Sequence, residues 1–70
     1  MKSKSGKKVF FVEVIYEDES TIGFDIIVDG APHKYVALLM MVTRGVLMTS
    51  NGVRATCYNS DGFDVCSYIR

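Results

Sequence analysis

From Phe10 the apolar positions recur every second residue. Phe10, Val12, Val14 and Tyr16 are followed by the polar run Glu17-Asp18-Glu19-Ser20, and then by Ile22, Phe24, Ile26 and Val28. A period of two on both sides of a polar turn predicts a β-hairpin. Pairing Val14 with Phe24, Val12 with Ile26 and Phe10 with Val28 builds one continuous apolar face. The same register sets Phe11 against Ile27 and Glu13 against Asp25 on the other face. Opposed carboxylates repel, so that pair requires a cation nearby, such as Arg54 or Arg70.

The run Asp29-Gly30-Ala31-Pro32 breaks the alternation. Pro32 suits the first position of a helix, where its missing N–H costs nothing. A helix is predicted from Pro32 to Thr49, with Asn51 and Gly52 as its left-handed stop. Tyr35, Leu38, Leu39, Val42 and Val46 form one apolar stripe at helical spacing. Val36, Met40 and Leu47 form a second, and Met41 and Met48 extend the apolar surface further. A helix apolar nearly all round is buried on more than one side, and a sheet covers only one. The surface made by Val36, Met40, Leu47, Met41 and Met48 is therefore expected to be a protein interface. The simplest arrangement is a two-fold homodimer. Gly45 costs about 1 kcal/mol against alanine and permits close approach of the helix backbone to the sheet or to a second helix.

From Val53 the period returns to two, through VRATCYN, the turn NSDG and FDVCSYIR. The fold class is α+β: β-β-α-β-β, a four-stranded, mainly antiparallel sheet with one helix packed on one face. The pattern leaves the strand order open. Two turns compete in the second hairpin. A two-residue Asp61-Gly62 loop sets Cys57 opposite Cys66. A type I turn over residues 59–62, with Gly62 left-handed in a bulge, sets Cys57 against Val65 and Thr56 against Cys66. The bulged register separates an apolar face (Val53, Ala55, Cys57, Phe63, Val65, Ile69) from a polar one, so it is the expected one. It places the two cysteines on opposite faces with no disulfide between them, and puts Arg54, Tyr58, Tyr68 and Arg70 together on the outer face.

Composition narrows the functional classes. Seventy residues, 49% of them hydrophobic, make a single domain over residues 8–70 behind a flexible basic tail at 1–7 (Lys2, Lys4, Lys7). A core this small is marginal and benefits from a partner. Eight basic and eight acidic residues balance, which argues against general electrostatic binding to nucleic acid or membrane. Glu13 interrupts the only leader-like apolar run. The longest apolar run, Tyr35 to Val42, is far short of the ~20 residues a span needs. A cytoplasmic protein that makes no membrane contact is expected. One histidine and two cysteines without ligand spacing give no metal site, and no cofactor is implied. His33 beside Pro32 has neither nucleophile nor orienting group, so no enzyme is expected.

What remains is a non-enzymatic binding protein, a homodimeric inhibitor or adaptor that occludes a larger protein partner. Small phage inhibitors of defence systems, anti-CRISPR proteins among them, share this format, although no motif carries the likeness. Glu13, Glu17, Asp18, Glu19 and Asp25 form an acidic surface able to imitate phosphate spacing and compete for a basic channel. The alternative is RNA or single-stranded nucleic-acid binding through Arg54, Tyr58, Tyr68 and Arg70, because aromatics beside arginines on a sheet stack bases.

Overall fold

The computed structural model describes residues 7–29 and 32–70. The basic tail expected at 1–7 falls, but for Lys7, outside the described residues. Strands β1 (Lys7–Ile15) and β2 (Thr21–Asp29) form the first hairpin. A short 3-10 turn (Pro32–Lys34) leads into helix α1 (Tyr35–Ser50), and β3 (Arg54–Tyr58) and β4 (Asp64–Ile69) form the second hairpin. The strands make one antiparallel sheet in the order β2-β1-β3-β4. The fold is therefore α+β with the expected β-β-α-β-β order. Pro32 opens the 3-10 turn rather than the α-helix itself. Asn51 ends the helix at φ 63°, the left-handed stop its spacing predicted.

Helix α1 packs over β3 and β4 and reaches β1 only lightly. Its buried stripe is Tyr35, Leu39, Thr43 and Leu47. This stripe meets Phe10, Val12, Val14, Ala55 and Cys57 in the core. Burying each large aliphatic side chain there contributes about 1.5–3 kcal/mol. The Phe10 and Tyr35 rings meet edge to face at 6.1 Å. At the other end, Gly52 lies so close to Val14 that a Cβ would overlap it. The helix thus runs alongside β1, from Phe10 towards Val14.

Both hairpin registers differ from the expected ones. In the first, Val14 faces Ile22, Val12 faces Phe24 and Phe10 faces Ile26, a slip of two residues. The turn causes it. Tyr16 and Glu19 close a type I turn (Glu19 N–H to Tyr16 O, 2.9 Å), and Tyr16 N–H donates to Ser20 O. The Asp18 carboxylate accepts from Ser20 N–H (3.0 Å) and Ser20 Oγ–H (2.6 Å). Those two bonds centre the turn one residue earlier than the hydrophobic pattern suggests. A slip of two keeps every side chain on its expected face. It also separates the two carboxylates: Glu13 faces Gly23, and Asp25 faces Phe11. The Phe11 ring lies over Gly23, where a Cβ would overlap it, so an aromatic covers the bare edge-strand glycine.

In the second hairpin the turn is the expected one. Gly62 N–H donates to Asn59 O, Asn59 N–H to Phe63 O, and Gly62 takes φ 88°. The Asn59 side-chain oxygen accepts from Asp61 and Phe63 N–H. Tyr58 then faces Asp64, but the register shifts again before Cys57. Val65 is the extra residue, and a bulge of this kind lets two consecutive side chains lean to one side. Val65 and Cys66 both pack against the core. Beyond the bulge Cys57 faces Cys66, Ala55 faces Tyr68 and Arg54 faces Ile69. The two cysteines are therefore direct neighbours on the helix side, not on opposite faces, and both are free. Ile69 and Phe63, expected inside, are exposed.

Candidate functional site

Two surfaces hold the residues singled out by the sequence, one on each side of the sheet. On the outer side, cross-strand neighbours make the row Asp25–Phe11–Tyr58–Asp64. The next row is Gly23–Glu13–Thr56–Ser67. Here the Thr56 and Ser67 hydroxyls share a hydrogen bond of 3.2 Å. Phe11 is 40% exposed, and Val9 and Ile27 stand open on the same face. The face thus presents an aromatic pair with a carboxylate at each end and a third, Glu13, one row away.

The acidic turn lies at one end of this sheet. Glu17, Asp18 and Glu19 are exposed. Asp18 is committed to its turn: the Ser20 hydroxyl and amide hold its carboxyl below the usual carboxylate range. Glu19 stands at φ 70°, a left-handed conformation that a glycine adopts without strain. Tyr16, Glu17, Asp18, Ser20 and Asn51 line a shallow hollow between this turn and the helix end.

The four-residue Arg/Tyr face does not assemble. Arg54 and Tyr58 are on the outer side, but the bulge turns Tyr68 to the helix side, where it packs on the core. Arg70 also reaches the helix. Its Nε donates to Gly52 O at 2.8 Å, and its Nη2 donates to Leu47 O. Helix α1 has no basic residue in its own last turn, so Arg70 supplies the cation its C-terminus favours. Sequence reasoning missed this because Arg70 changes faces only through the second bulge.

On the helix side, Leu47 belongs to the core and not to the interface expected for it. Leu38, expected in the core, is exposed. Val36, Met40, Met41 and Met48 are exposed as expected. Val36 lines a hollow with Val65 and the second turn, and Arg44 and Met48 line another with Tyr68, Ile69 and Arg70. Those contacts place the Val36–Met40 flank of the helix over β4. The opposite flank, with Leu38, Val42 and Gly45, looks over the β1–β2 half of the sheet. There Ile22 (52% exposed) and Phe24 (37%) are open at the turn end of the inner face, while Phe10, Val12, Val14 and Val28 are buried and Ile26 packs on the core. This exposure was not legible from periodicity, which shows that a face is apolar but not what covers it.

Thr43 is fully buried between the two cysteines. Cys66 Sγ–H donates to Thr43 Oγ1 at 3.7 Å. Burial pushes the Cys57 thiol up to about 11, and Cys66 beside it adds to the rise. A thiol held protonated is a poor nucleophile. Among the described residues no three His, Cys, Asp or Glu side chains gather as a metal site, and no helix is long and apolar enough to cross a membrane. His33 lies exposed in the 3-10 turn.

The chain matches no protein-family model, no curated protein and no solved structure.

Proposed function

We propose that this chain is a non-enzymatic protein-binding module, dimeric in its working form, that inhibits or bridges a larger partner by covering a basic surface on it. The observation that carries this reading is the outer row Asp25–Phe11–Tyr58–Asp64. Exposed aromatics attract Arg and Lys through their ring faces, and carboxylates at both ends add charge attraction. The same carboxylates repel phosphate, which weighs against nucleic acid as the ligand of this face. Glu17 and Glu19, at the open end of the sheet, extend the acidic surface and fit a channel that otherwise takes a phosphate backbone. Two facing free thiols fit a reducing compartment, and the cytoplasm is the location this reading favours.

The test is a salt-dependent anisotropy titration with a labelled arginine-rich peptide and, separately, a labelled single-stranded oligonucleotide. The peptide is expected to bind and to lose at least tenfold in affinity when Asp25 and Asp64 are changed to lysine. Charge reversal of Glu17 and Glu19 is expected to weaken it further, with Asp18 left in place to hold the turn. Oligonucleotide binding lost on Tyr58→Ala, with no peptide binding, would replace this reading with the nucleic-acid one.

A further inference from the structure

The two cysteines are a reactive pair that the outer face does not use. They are the only two among seventy residues, and the second hairpin sets them directly opposite each other across β3 and β4. Plain alternation would keep them on opposite faces. The Val65 bulge brings both to the helix side, and both are free. Directly opposed residues of an antiparallel pair have Cα atoms about 4.5–5.5 Å apart. A disulfide needs about 4.4–6.8 Å, so the two backbones already stand at bonding distance. The side chains converge as well. Cys66 Sγ–H donates to Thr43 Oγ1 at 3.7 Å, and the Cys57 thiol is near enough to Cys66 and Thr43 for both to act on its proton.

We infer that Cys57 and Cys66 form a thiol–disulfide switch: a small-molecule disulfide joins them across the hairpin, and a small thiol frees them again. This goes beyond the proposed function and does not depend on the outer row. Burial sets the order of events. Cys57 is fully buried, out of reach of an oxidant in solution, and its thiol is pushed up to about 11. Cys66 is only partly buried and lies on β4, an edge strand of the sheet. Local opening of such a strand needs less free energy than unfolding the whole domain, so Cys66 reacts first. Its sulfur attacks one sulfur of oxidised glutathione. The S–S bond breaks, one glutathione leaves as a thiol with the proton given up by Cys66, and a Cys66–glutathione mixed disulfide remains. The Cys57 sulfur then attacks the Cys66 sulfur. The second glutathione leaves with the Cys57 proton, and the Cys57–Cys66 bond closes. In sum, two protein thiols are oxidised and one small disulfide is reduced to two thiols. Two molecules of reduced glutathione run the same steps backwards.

The bond changes what holds the hairpin. In the dithiol form Thr43 ties the helix to β4 through Cys66. In the disulfide form that contact is given up, and the Thr43 hydroxyl is free to turn to the carbonyl four residues back in its own helix, as helical threonines do. Strands β3 and β4 are then joined covalently beside the bulge. The loop so closed runs from Cys57 through the Asn59–Gly62 turn to Cys66, and the Asn59 hydrogen bonds already hold that turn. Closing it therefore asks little of the folded chain. The main effect falls on the unfolded chain, which loses conformational freedom. A domain of this size has a marginal core, so a single crosslink gives a readable gain.

The experiment incubates the folded wild-type chain with oxidised glutathione at neutral pH. It reads intact mass, free thiols after unfolding, and thermal unfolding. The expected product is a chain two hydrogens lighter with no free thiol, a Tm higher by about 5–15 °C, and full return of both thiols on adding reduced glutathione. Two variants test the order of attack, with circular dichroism to confirm that each folds. Cys57→Ala should stop at the Cys66–glutathione adduct, and Cys66→Ala should take up no glutathione while folded. If either variant fails to fold, the wild-type mass and Tm still decide. Both thiols still free after incubation overturn the proposal. So do chains crosslinked to one another through Cys66, a Cys66 adduct that the wild type never resolves, or an internal bond that lowers the Tm.

Discussion

The two hairpins are built on one plan and end in opposite situations. Each closes through a type I turn with a left-handed fourth residue, and each turn is braced by a side-chain carbonyl or carboxylate oxygen, from Asp18 in the first and Asn59 in the second. The second hairpin has glycine at the left-handed position, a bulge that turns Val65 and Cys66 inward, and the helix overhead. The first has Glu19 at that position, an unbroken nine-residue register, and an apolar face that is buried at Phe10, Val12, Val14 and Val28 but exposed at Ile22 and Phe24. The second hairpin packs under the helix but leaves Phe63 and Ile69 exposed. The other keeps local strain and exposed Ile22 and Phe24, which stability of the single chain does not explain. What the first hairpin has and the second lacks is a non-glycine residue at positive φ in its turn, a local strain that the surrounding structure must hold.

The largest expected difference between the halves is in stability. Leu39 is fully buried under the helix, so Leu39→Ala should lower the unfolding free energy by about 2–5 kcal/mol. Ile22→Ala, at a half-exposed site, should cost well under that in dilute solution. Urea unfolding at low protein concentration measures both. Equal losses would mean that the two halves are equally covered.

Exchanging the turn residues sharpens the comparison. A non-glycine residue in the left-handed region costs about 1–2 kcal/mol. Glu19→Gly should therefore stabilise the chain by about 1 kcal/mol, and Gly62→Ala, at φ 88°, should destabilise it by a similar amount. Thermal unfolding reads both signs. A neutral Glu19→Gly would show that Glu19 makes up for its backbone in some other way.

The two hairpins carry pH signatures of opposite sense. The folded Cys57 pKa lies near 11 against an ordinary value of 9.0. A raised pKa in the folded state means that the unfolded chain loses this proton first. The contribution is fully present below pH 9 and is lost as pH rises through 11. Cys57→Ala should show a smaller fall in stability than the wild type over that window. Identical slopes would mean that Cys57 titrates normally in the fold. Asp18 works in the opposite sense: its lowered pKa gives stability above the ordinary carboxylate range that disappears as the turn is acidified.

Much of this molecule is written in its periodicities. The alternation around Phe10–Val28 and the Asn51 stop follow from local chemistry and are found where the pattern puts them, whereas the buried helical stripe is Tyr35, Leu39, Thr43 and Leu47 instead of the expected Tyr35, Leu38, Leu39, Val42 and Val46. Register was less legible, for a physical reason. Sliding a strand by two residues preserves its faces, so hydrophobicity cannot choose between the two pairings. The choice fell to the Asp18–Ser20 hydrogen bonds. The Val65 bulge answers a tertiary demand, the space beneath Tyr35 and Leu39, and that demand does not exist until the helix is docked. With it went the expected Arg54–Tyr58–Tyr68–Arg70 face. Strand order and the sideways offset of the helix leave no periodic trace at all, yet they decide that Ile22 and Phe24 stay exposed. The acidic residues, in contrast, are exposed or half-exposed where the sequence placed them, and the row that joins Asp25 to Asp64 appears only once β1 is known to lie between β2 and β3.

The central claim is that the chain's own core takes in β3, β4 and β1 and leaves the turn end of the edge strand β2, at Ile22 and Phe24, open. Methyl NMR with a soluble paramagnetic probe, recorded on Ile, Leu, Val and Met methyls across a dilution series, measures it directly. At the lowest concentration Ile22, Met41 and Met48 should be strongly broadened while Leu39, Leu47 and Val12 are untouched. Ile22 as protected as Leu39 at the lowest concentration would contradict the account, because the helix would then reach the turn end of β2 and leave no edge open.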